Sequence, residues 1–473
     1  MPTRRDQVQS YQFMMQRVVS AFAHHDTDPV QPAGRRLFGA GLAGIMIAVL
    51  GLAGMGVYGM LRPGGNTTWR DGSSIIMEKE TGTRYIYREG QLHPMANFTS
   101  AVLALDGQLK TINVAASSLL GVPRGPLLGI ANAPEALPPA ARLAGGPWTM
   151  CGRPRQNGDV ATTASTVLRV GQRSAGRDLG DDALLVEETN GRRLFLIWHG
   201  HRHELVDRPV AMTALGLDRQ PILVVPTAWV DALPAGQRLV TRPVVGRGTP
   251  SSAVPGALVG QVYVVEGAGT GQQQHYLVVD TRRVAPVTPV EAGLLLADPA
   301  SRPAYPDGVA EALPLSTMQA AAAEKQPPST HGPGAAPATP PLIVVPESPD
   351  FAICAEFNDA VNPPRLAVDT TTQQPLGTTT RRRSPEGVAL ADRVEVTPGW
   401  AALVEAVPTP DAPVGTRYLV TDLGVRHALA NQDVQRLLGY AGVEPLRLPA
   451  SMIARLPEGP ALDPVAARRP MVP

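Results

Sequence analysis

From Leu37 to Leu61 the chain runs without a charged side chain, fenced by Arg35 and Arg36 before it and Arg62 after it. At about 1.5 Å of rise per residue, such a stretch crosses a hydrocarbon core of roughly 30 Å as a single helix that satisfies its own backbone polar groups. It starts too far into the chain, and runs too long, for the apolar part of a cleaved signal, so residues 37–61 are read as a retained anchor. Arg4, Arg5, Arg17, Arg35 and Arg36 precede it, which by the positive-inside bias puts residues 1–36 in the cytoplasm. No second apolar stretch of that length follows in the 473 residues. The expectation is a single-pass protein of the cytoplasmic membrane with an extracytoplasmic body.

A body of that size exceeds one ordinary core and suggests two or three lobes. The formal charge is +1, from 42 Lys plus Arg against 41 Asp plus Glu, and leaves no field for nucleic acid. Cys151 and Cys354 are the only cysteines, and both fall in the part placed outside, where disulfides persist. They are expected to be bonded to each other, which would stabilise by roughly 5 kcal/mol on the chain-entropy model. Two separate buried thiols are the alternative, since spacing in sequence does not bring sulfurs together.

In the arm, Val8, Tyr11, Met15, Val18 and Phe22 recur every three or four residues, the spacing of an amphipathic helix. Its apolar face suits the inner leaflet or a partner, and with few basic residues the partner is preferred. Within the span, Ala40, Gly44, Ala48 and Gly51 form a small-residue face that admits a second helix, although glycine is also simply common in membrane helices.

The body repeats itself. Residues 82–95 (GTRYIYREGQLHPM), 191–205 (GRRLFLIWHGHRHEL) and 415–429 (GTRYLVTDLGVRHAL) each carry an aromatic-aliphatic strand, a turn at Gly90, Gly200 or Gly424, and a returning strand with His93, His203 or His427. A helical stretch is then expected to end at Leu120-Gly121, Leu215-Gly216 or Leu438-Gly439. A short strand follows from 126, 221 or 445, and the copies close at Leu137-Pro138, Leu233-Pro234 and Leu456-Pro457. A degenerate copy begins at residue 275 and closes at Leu313-Pro314. The predicted fold class is α+β. It has a cytoplasmic helix, one membrane helix, and four βαβ-type repeats (75–140, 190–236, 274–322, 415–460) around a β-rich domain assembled from 146–190, 237–274 and 340–414. Residues 326–341, QPPSTHGPGAAPATPP, read as a flexible linker, Thr370 to Glu386 as a polar loop with an Arg381-Arg382-Arg383 run, and the tail after Ala461 as loosely ordered.

Chemistry is harder to find. A P-loop needs lysine after a glycine-rich turn, and Lys79, Lys110 and Lys325 do not follow one. The Gly267–Gly271 run precedes a strand, so it offers phosphate no helix terminus and reads as a hairpin loop. His199, His201 and His203 alternate, but no carboxylate or cysteine set completes a metal site. Neither HExxH nor GxSxG occurs. Asp181-Asp182 and Glu187-Glu188 read as solvated surface rather than an acid/base couple. No catalytic, cofactor or metal residue is assigned.

Four segments carry a resemblance: TRRDQVQSYQFMMQRVVSAFAHHDTDP before the span, LRPGG after it, the TGTRYIY…LHPMANFTSA stretch, and VPRGPLLGIANAPEALP at 122–138. Together they resemble the EccB family of type VII (ESX) secretion systems over the whole chain, with Leu92, His93, Pro94, Pro123, Arg124, Gly125 and Pro126 as the motif positions. The resemblance implies a structural subunit of an inner-membrane secretion complex, which the absence of any assignable catalytic residue makes a non-catalytic one. Its partners would be the EccC ATPase, EccD, EccE and the mycosin protease. It also implies self-association, a body organising the periplasmic side, and repeats related to a cell-wall-binding module. Some family members are described as ATPases. The P-loop residues are missing here, and a membrane-anchored ATP-hydrolysing or wall-active enzyme is the alternative.

Overall fold

The computed structural model describes residues 3–25, 35–61, 67–156, 164–266, 273–306, 308–327, 332, 334–344, 346, 350–369 and 377–471. It is a mixed α/β structure with one long apolar helix near the N-terminus and a β-rich body. Two units are distinguished, Met1–Leu92 with Lys110–Gly125 and His93–Leu109 with Pro126–Pro473.

In the first unit, the Thr3 N–H and hydroxyl donate to Asp6 at 2.8 and 2.6 Å, opening helix Arg4–His24 through a capping box. The helix Arg35–Leu61 contains a 21-residue window, Phe38–Tyr58, of mean hydropathy 2.1 with none of it buried. Further on, Ile75–Glu78, Arg84–Arg88, Gln91–Pro94 and Thr111–Val114 form a sheet in the order third, second, first, fourth. The first two strands are antiparallel, and the first and fourth are parallel. Glu89 and Gly90 both take positive φ, 52° and 79°, the primed turn that suits right-handed strand twist. Trp69, Ile76, Tyr85, Leu92, Val114 and Leu119 make the core.

The same strand order recurs three times in the second unit, beginning at Leu184–Glu188, Val262–Glu266 and Ala401–Val407. Each begins with a three-stranded meander, and each fourth strand (Leu223–Val225, Leu313–Pro314 or Leu446–Pro449) returns parallel to the first. The helices preceding the four parallel strands are Phe98–Ala104, Arg208–Leu215, Pro289–Ala297 and Gln432–Leu437. Each starts on a side-chain cap: Asn97, Asp207, Thr288 and Asn431 accept from the backbone N–H three residues on. Arg208–Leu215 packs on Pro289–Ala297, and Phe98–Ala104 on Gln432–Leu437 and Pro464–Ala467.

A seven-stranded sheet supplies the centre, in the order Thr378–Thr379, Arg393–Glu395, Ser165–Arg169, Trp148–Arg153, Ala352–Phe357, Arg365–Asp369, Arg177–Asp178. Its inner face shares one hydrophobic core with the sheets containing Leu194–Trp198 and Ala401–Val407, anchored by Trp148, Trp229, Phe357 and Met452.

Several expectations are corrected. The strands 184–188, 262–266 and 401–407, assigned to the central domain, are the first strands of three flanking sheets, because their parallel partners lie beyond the hairpins. The described part of the segment 237–274 adds no strand to the central sheet; it forms a small hairpin and the strand Val262–Glu266. The helix of the first copy ends at Leu105, and Gly121 instead follows a 3-10 turn, Ala116–Leu119. The fourth strand there is Thr111–Val114, and 126–130 forms isolated bridges instead, Met95↔Leu128 and Leu128↔Pro470. Leu313–Pro314 is likewise a fourth strand, and the closing segment of that copy is Glu324–Lys325.

The described part of 326–341 is a strap, since Gly334 accepts from the Gln237 N–H at 2.7 Å and Ala338 from the Val290 N–H at 3.1 Å. Residues 328–331 and 333 lie outside the described residues. The tail is ordered: Leu462 and Ala467 are fully buried, and Arg468 donates to Ala104 O and pairs with Asp106. The Gly267–Gly271 run lies outside the described residues, while the strands it joins pair antiparallel from Glu266↔Gln273 inward.

Candidate interaction sites

A helix that is apolar on every side has no core to enter, so the span presents its whole circumference outward. Phe38 is 83% and Leu52 73% exposed, and nothing lies within 4 Å of a Cβ placed at Gly44 or Gly51. Ala40 and Ala48 share that helix. In the arm, Val8, Tyr11, Met15, Val18 and Phe22 are all exposed, as are Met14 and Val19 beside them, while Phe13 on the other side lies under the Arg17 guanidinium at 5.2 Å. These two helices carry the uncovered apolar surface of the N-terminal region.

Cys151 and Cys354 sit opposite each other on adjacent strands of the central sheet, and their sulfurs are bonded across a sequence separation of 203. Both are buried among the strands that hold the shared core.

The family-motif residues have structural employment. Leu92 is fully buried; its N–H donates to Pro123 O at 2.8 Å and its carbonyl accepts from the Gly125 N–H at 3.0 Å. His93 Nδ1 faces Pro126 O at 3.4 Å, the Leu128 N–H donates to Pro94 O at 2.9 Å, and Arg124 lies over the Tyr85 ring at 5.2 Å.

The same clasp occurs twice more. Arg202 pairs with the segment Pro234-Ala235-Gly236 and Arg426 with Pro457-Glu458-Gly459, through backbone bonds of 2.9 to 3.0 Å. The next residues, His203 and His427, donate from Nδ1 to Gln237 O at 2.9 Å and Pro460 O at 3.1 Å. Gly236 and Gly459 lie against those rings: a methyl on either would stand 2.7 or 2.6 Å from the histidine Nδ1. Sequence reading found the histidines but not their glycine partners, although proline, any residue, glycine at a fixed distance was there to be seen.

The third sheet departs in both positions at once. The Gln326 N–H donates to Val284 O at 2.8 Å, as the Gly236 N–H does to Arg202 O, so buried Ala285 takes the histidine's place and Gln326 the glycine's.

These arrangements tie up groups that elsewhere do chemistry. His199 Nε2 bonds Asp181 at 2.8 Å with its ring stacked on Trp198, and His201 Nδ1 bonds His199 O at 2.9 Å. Burial holds the His203 and His427 pKa values below the ordinary 6.5, which favours the uncharged ring. Among the described residues no group of three His, Cys, Asp or Glu side chains converges as metal ligands.

Glu188, expected at the surface, is buried and paired with Arg193. Arg193 continues to Asp231, which also takes Arg202 and the buried Arg455. A carboxylate placed so deep is held by the guanidinium beside it. The Arg381–Arg383 run, expected in a polar loop, belongs to a hairpin that spans 380–391, closed by the Arg383↔Ala389 bridge; residues 370–376 lie outside the described residues.

A family model described as "Type VII secretion system ESX-1, transport TM domain B" matches residues 1–471. The ESX-3 secretion system ATPase EccB3 of Mycolicibacterium smegmatis is 30% identical over 486 residues, covering 97% of this chain and 89% of that protein. The ESX-1 secretion system ATPase EccB1 of Mycobacterium tuberculosis is 26% identical over 490 residues, covering 98% and 94%. Among solved structures, the "EccB3 dimer from the ESX-3 core complex" aligns at TM-score 0.62 and 26% identity, covering 84% of this chain and 99% of that one. A chain of an intact ESX-5 inner membrane complex shares the fold at TM-score 0.62 and 24% identity, covering 100% and 96%.

Proposed function

Because the chain belongs to the EccB family of type VII secretion proteins, we propose that it is a non-catalytic structural subunit of an ESX inner-membrane complex. In this reading residues 1–36 lie in the cytoplasm, the helix Arg35–Leu61 crosses the inner membrane once, and the body organises the periplasmic side. The four like sheets are copies of one βαβ-type repeat around the central sheet. Self-association runs through the body and the Ala40, Gly44, Ala48 and Gly51 face. The Val8, Tyr11, Met15, Val18 and Phe22 face meets another subunit. EccC, EccD, EccE and the mycosin protease are the proposed partners, and cell wall is a further surface the repeats could touch.

One observation carries the scaffold reading. The conspicuous polar residues of the body (the three motif histidines, Glu188 and Asp231) are bonded to backbone carbonyls or arginines that hold elements together, rather than gathered at an open cleft. Native mass measurement of detergent-extracted chain should recover it in a large complex, and free monomer alone would refute the proposal. The relatives' name, ATPase, favours a second reading, in which the chain hydrolyses ATP through a site without a P-loop. Purified full chain with labelled ATP tests it. Turnover that one point mutation abolishes would displace the scaffold reading.

A further inference from the structure

We propose that the cleft between the hairpin 380–391 and the strand Arg155–Gln156 binds a phosphate-bearing ligand. The cleft measures about 390 Å³, and Arg155, Arg382 and Arg383 line it together with the hydroxyl residues Thr189 and Thr227. Its one acid, Asp392, is already saturated: the Thr166 N–H and hydroxyl donate to it at 2.7 and 2.9 Å, and Arg382 Nε stands 2.9 Å from its other oxygen. That pair cancels, leaving Arg155 and Arg383 as the uncompensated charges. Arg383 spends one N–H on Gly387 O at 3.2 Å, and Arg155 has no side-chain partner among the described residues. The Thr189 and Thr227 hydroxyls are likewise unengaged there.

The chain fixes this geometry against local preference. Arg382 has φ 62°, a left-handed conformation disfavoured for a residue with a Cβ. It is held there because its N–H donates to Thr380 Oγ1 at 3.0 Å and its carbonyl accepts from the Leu390 N–H at 2.9 Å. Arg155 is fixed on the opposite wall, where its short strand pairs with Leu223–Val225. Backbone strain of this kind accumulates where a site is being held in shape.

Two guanidinium groups on opposite walls and two hydroxyls that can donate make a donor-rich set, in which the one carboxylate among the described lining residues is already paired. One guanidinium fork satisfies a planar carboxylate; a tetrahedral oxyanion with three or more oxygens uses donors from both walls. The cleft exceeds one phosphate in volume, and Arg383 is shared with a neighbouring cleft of about 880 Å³ lined by Arg381, by Glu386 and by Arg426 paired with Glu458. The ligand is therefore an organic phosphate ester, supplied either by a soluble molecule or by a lipid headgroup.

The test uses full chain in phosphatidylcholine nanodiscs. Inorganic pyrophosphate is titrated by calorimetry at constant ionic strength, and co-flotation with phosphatidylglycerol vesicles is compared with phosphatidylcholine vesicles. Saturable binding in at least one arm is expected, weakened at least about tenfold in Arg155→Gln with Arg383→Gln and unchanged in Arg219→Gln, which lies outside the cleft. Pyrophosphate binding alone assigns a soluble ester, vesicle binding alone assigns the headgroup, and binding in both supports the shared chemistry. Arg155→Lys keeps the charge without the fork, so it should fall between wild type and the double variant. Silence in both arms, or equal binding by the double variant, overturns the proposal.

Discussion

Substituting Gly236 by alanine sets a methyl 2.7 Å from His203 Nδ1, and the ring cannot step aside because it is fully buried and bonded to Gln237 O at 2.9 Å. Overpacking of this kind costs about 1–3 kcal/mol. His203→Ala alone removes the ring and its hydrogen bond, leaving a cavity worth about 2–3 kcal/mol. If the two sites were independent, the double variant would lose the sum. The structure predicts otherwise, because the added methyl then grows into the space the ring has left, as Gln326 stands opposite Ala285 in the third sheet. The double variant should therefore be more stable than the sum by about 1–2 kcal/mol, within the range of coupling between touching residues. Urea melts of the full chain in detergent, followed by tryptophan fluorescence, measure all four corners of the cycle. Additive losses would show that ring and glycine do not constrain each other and would refute the clasp.

Three further outcomes are expected. Cys151→Ser breaks a bond that closes a 203-residue separation and should lower stability under oxidising conditions by about 2–5 kcal/mol, with an unchanged melt counting against a stabilising bond. Acidification should also destabilise the body: burial keeps His203 and His427 below the ordinary 6.5, so the unfolded chain binds more protons once the pH falls under that value. Their contribution is complete above about pH 6.5 and is lost on the acid side, and a His203→Gln, His427→Gln variant should show a flatter stability profile than wild type between neutral and acid pH. Asp231→Asn removes the charge that Arg202 and Arg455 share on a half-buried contact, while Arg193 keeps Glu188, and should cost about 1.5–2 kcal/mol; a loss under about 0.5 kcal/mol, the size of a surface substitution, would place that network in effective contact with water.

The patterns written in consecutive residues were legible. An uncharged run from Leu37 to Leu61 needs no tertiary context to be long and apolar enough for a bilayer, and alternation around Gly90, Gly200 and Gly424 is enough to expect hairpins. What the sequence could not decide was which hairpin belongs to which preceding strand. The parallel partners Leu223↔Val186 and Val404↔Leu446 lie across a hairpin and a helix, and nothing local marks one apolar strand as another's neighbour. Gly121 looked like a helix cap because a glycine after leucine has the same local chemistry wherever it falls. Glu188 looked solvated because its arginine partner acts through space. The glycine clasp shows the division most clearly: His203 and Gly236 are ordinary residues in one dimension, and only a returning chain makes the absence of a side chain at one the condition for burying the other.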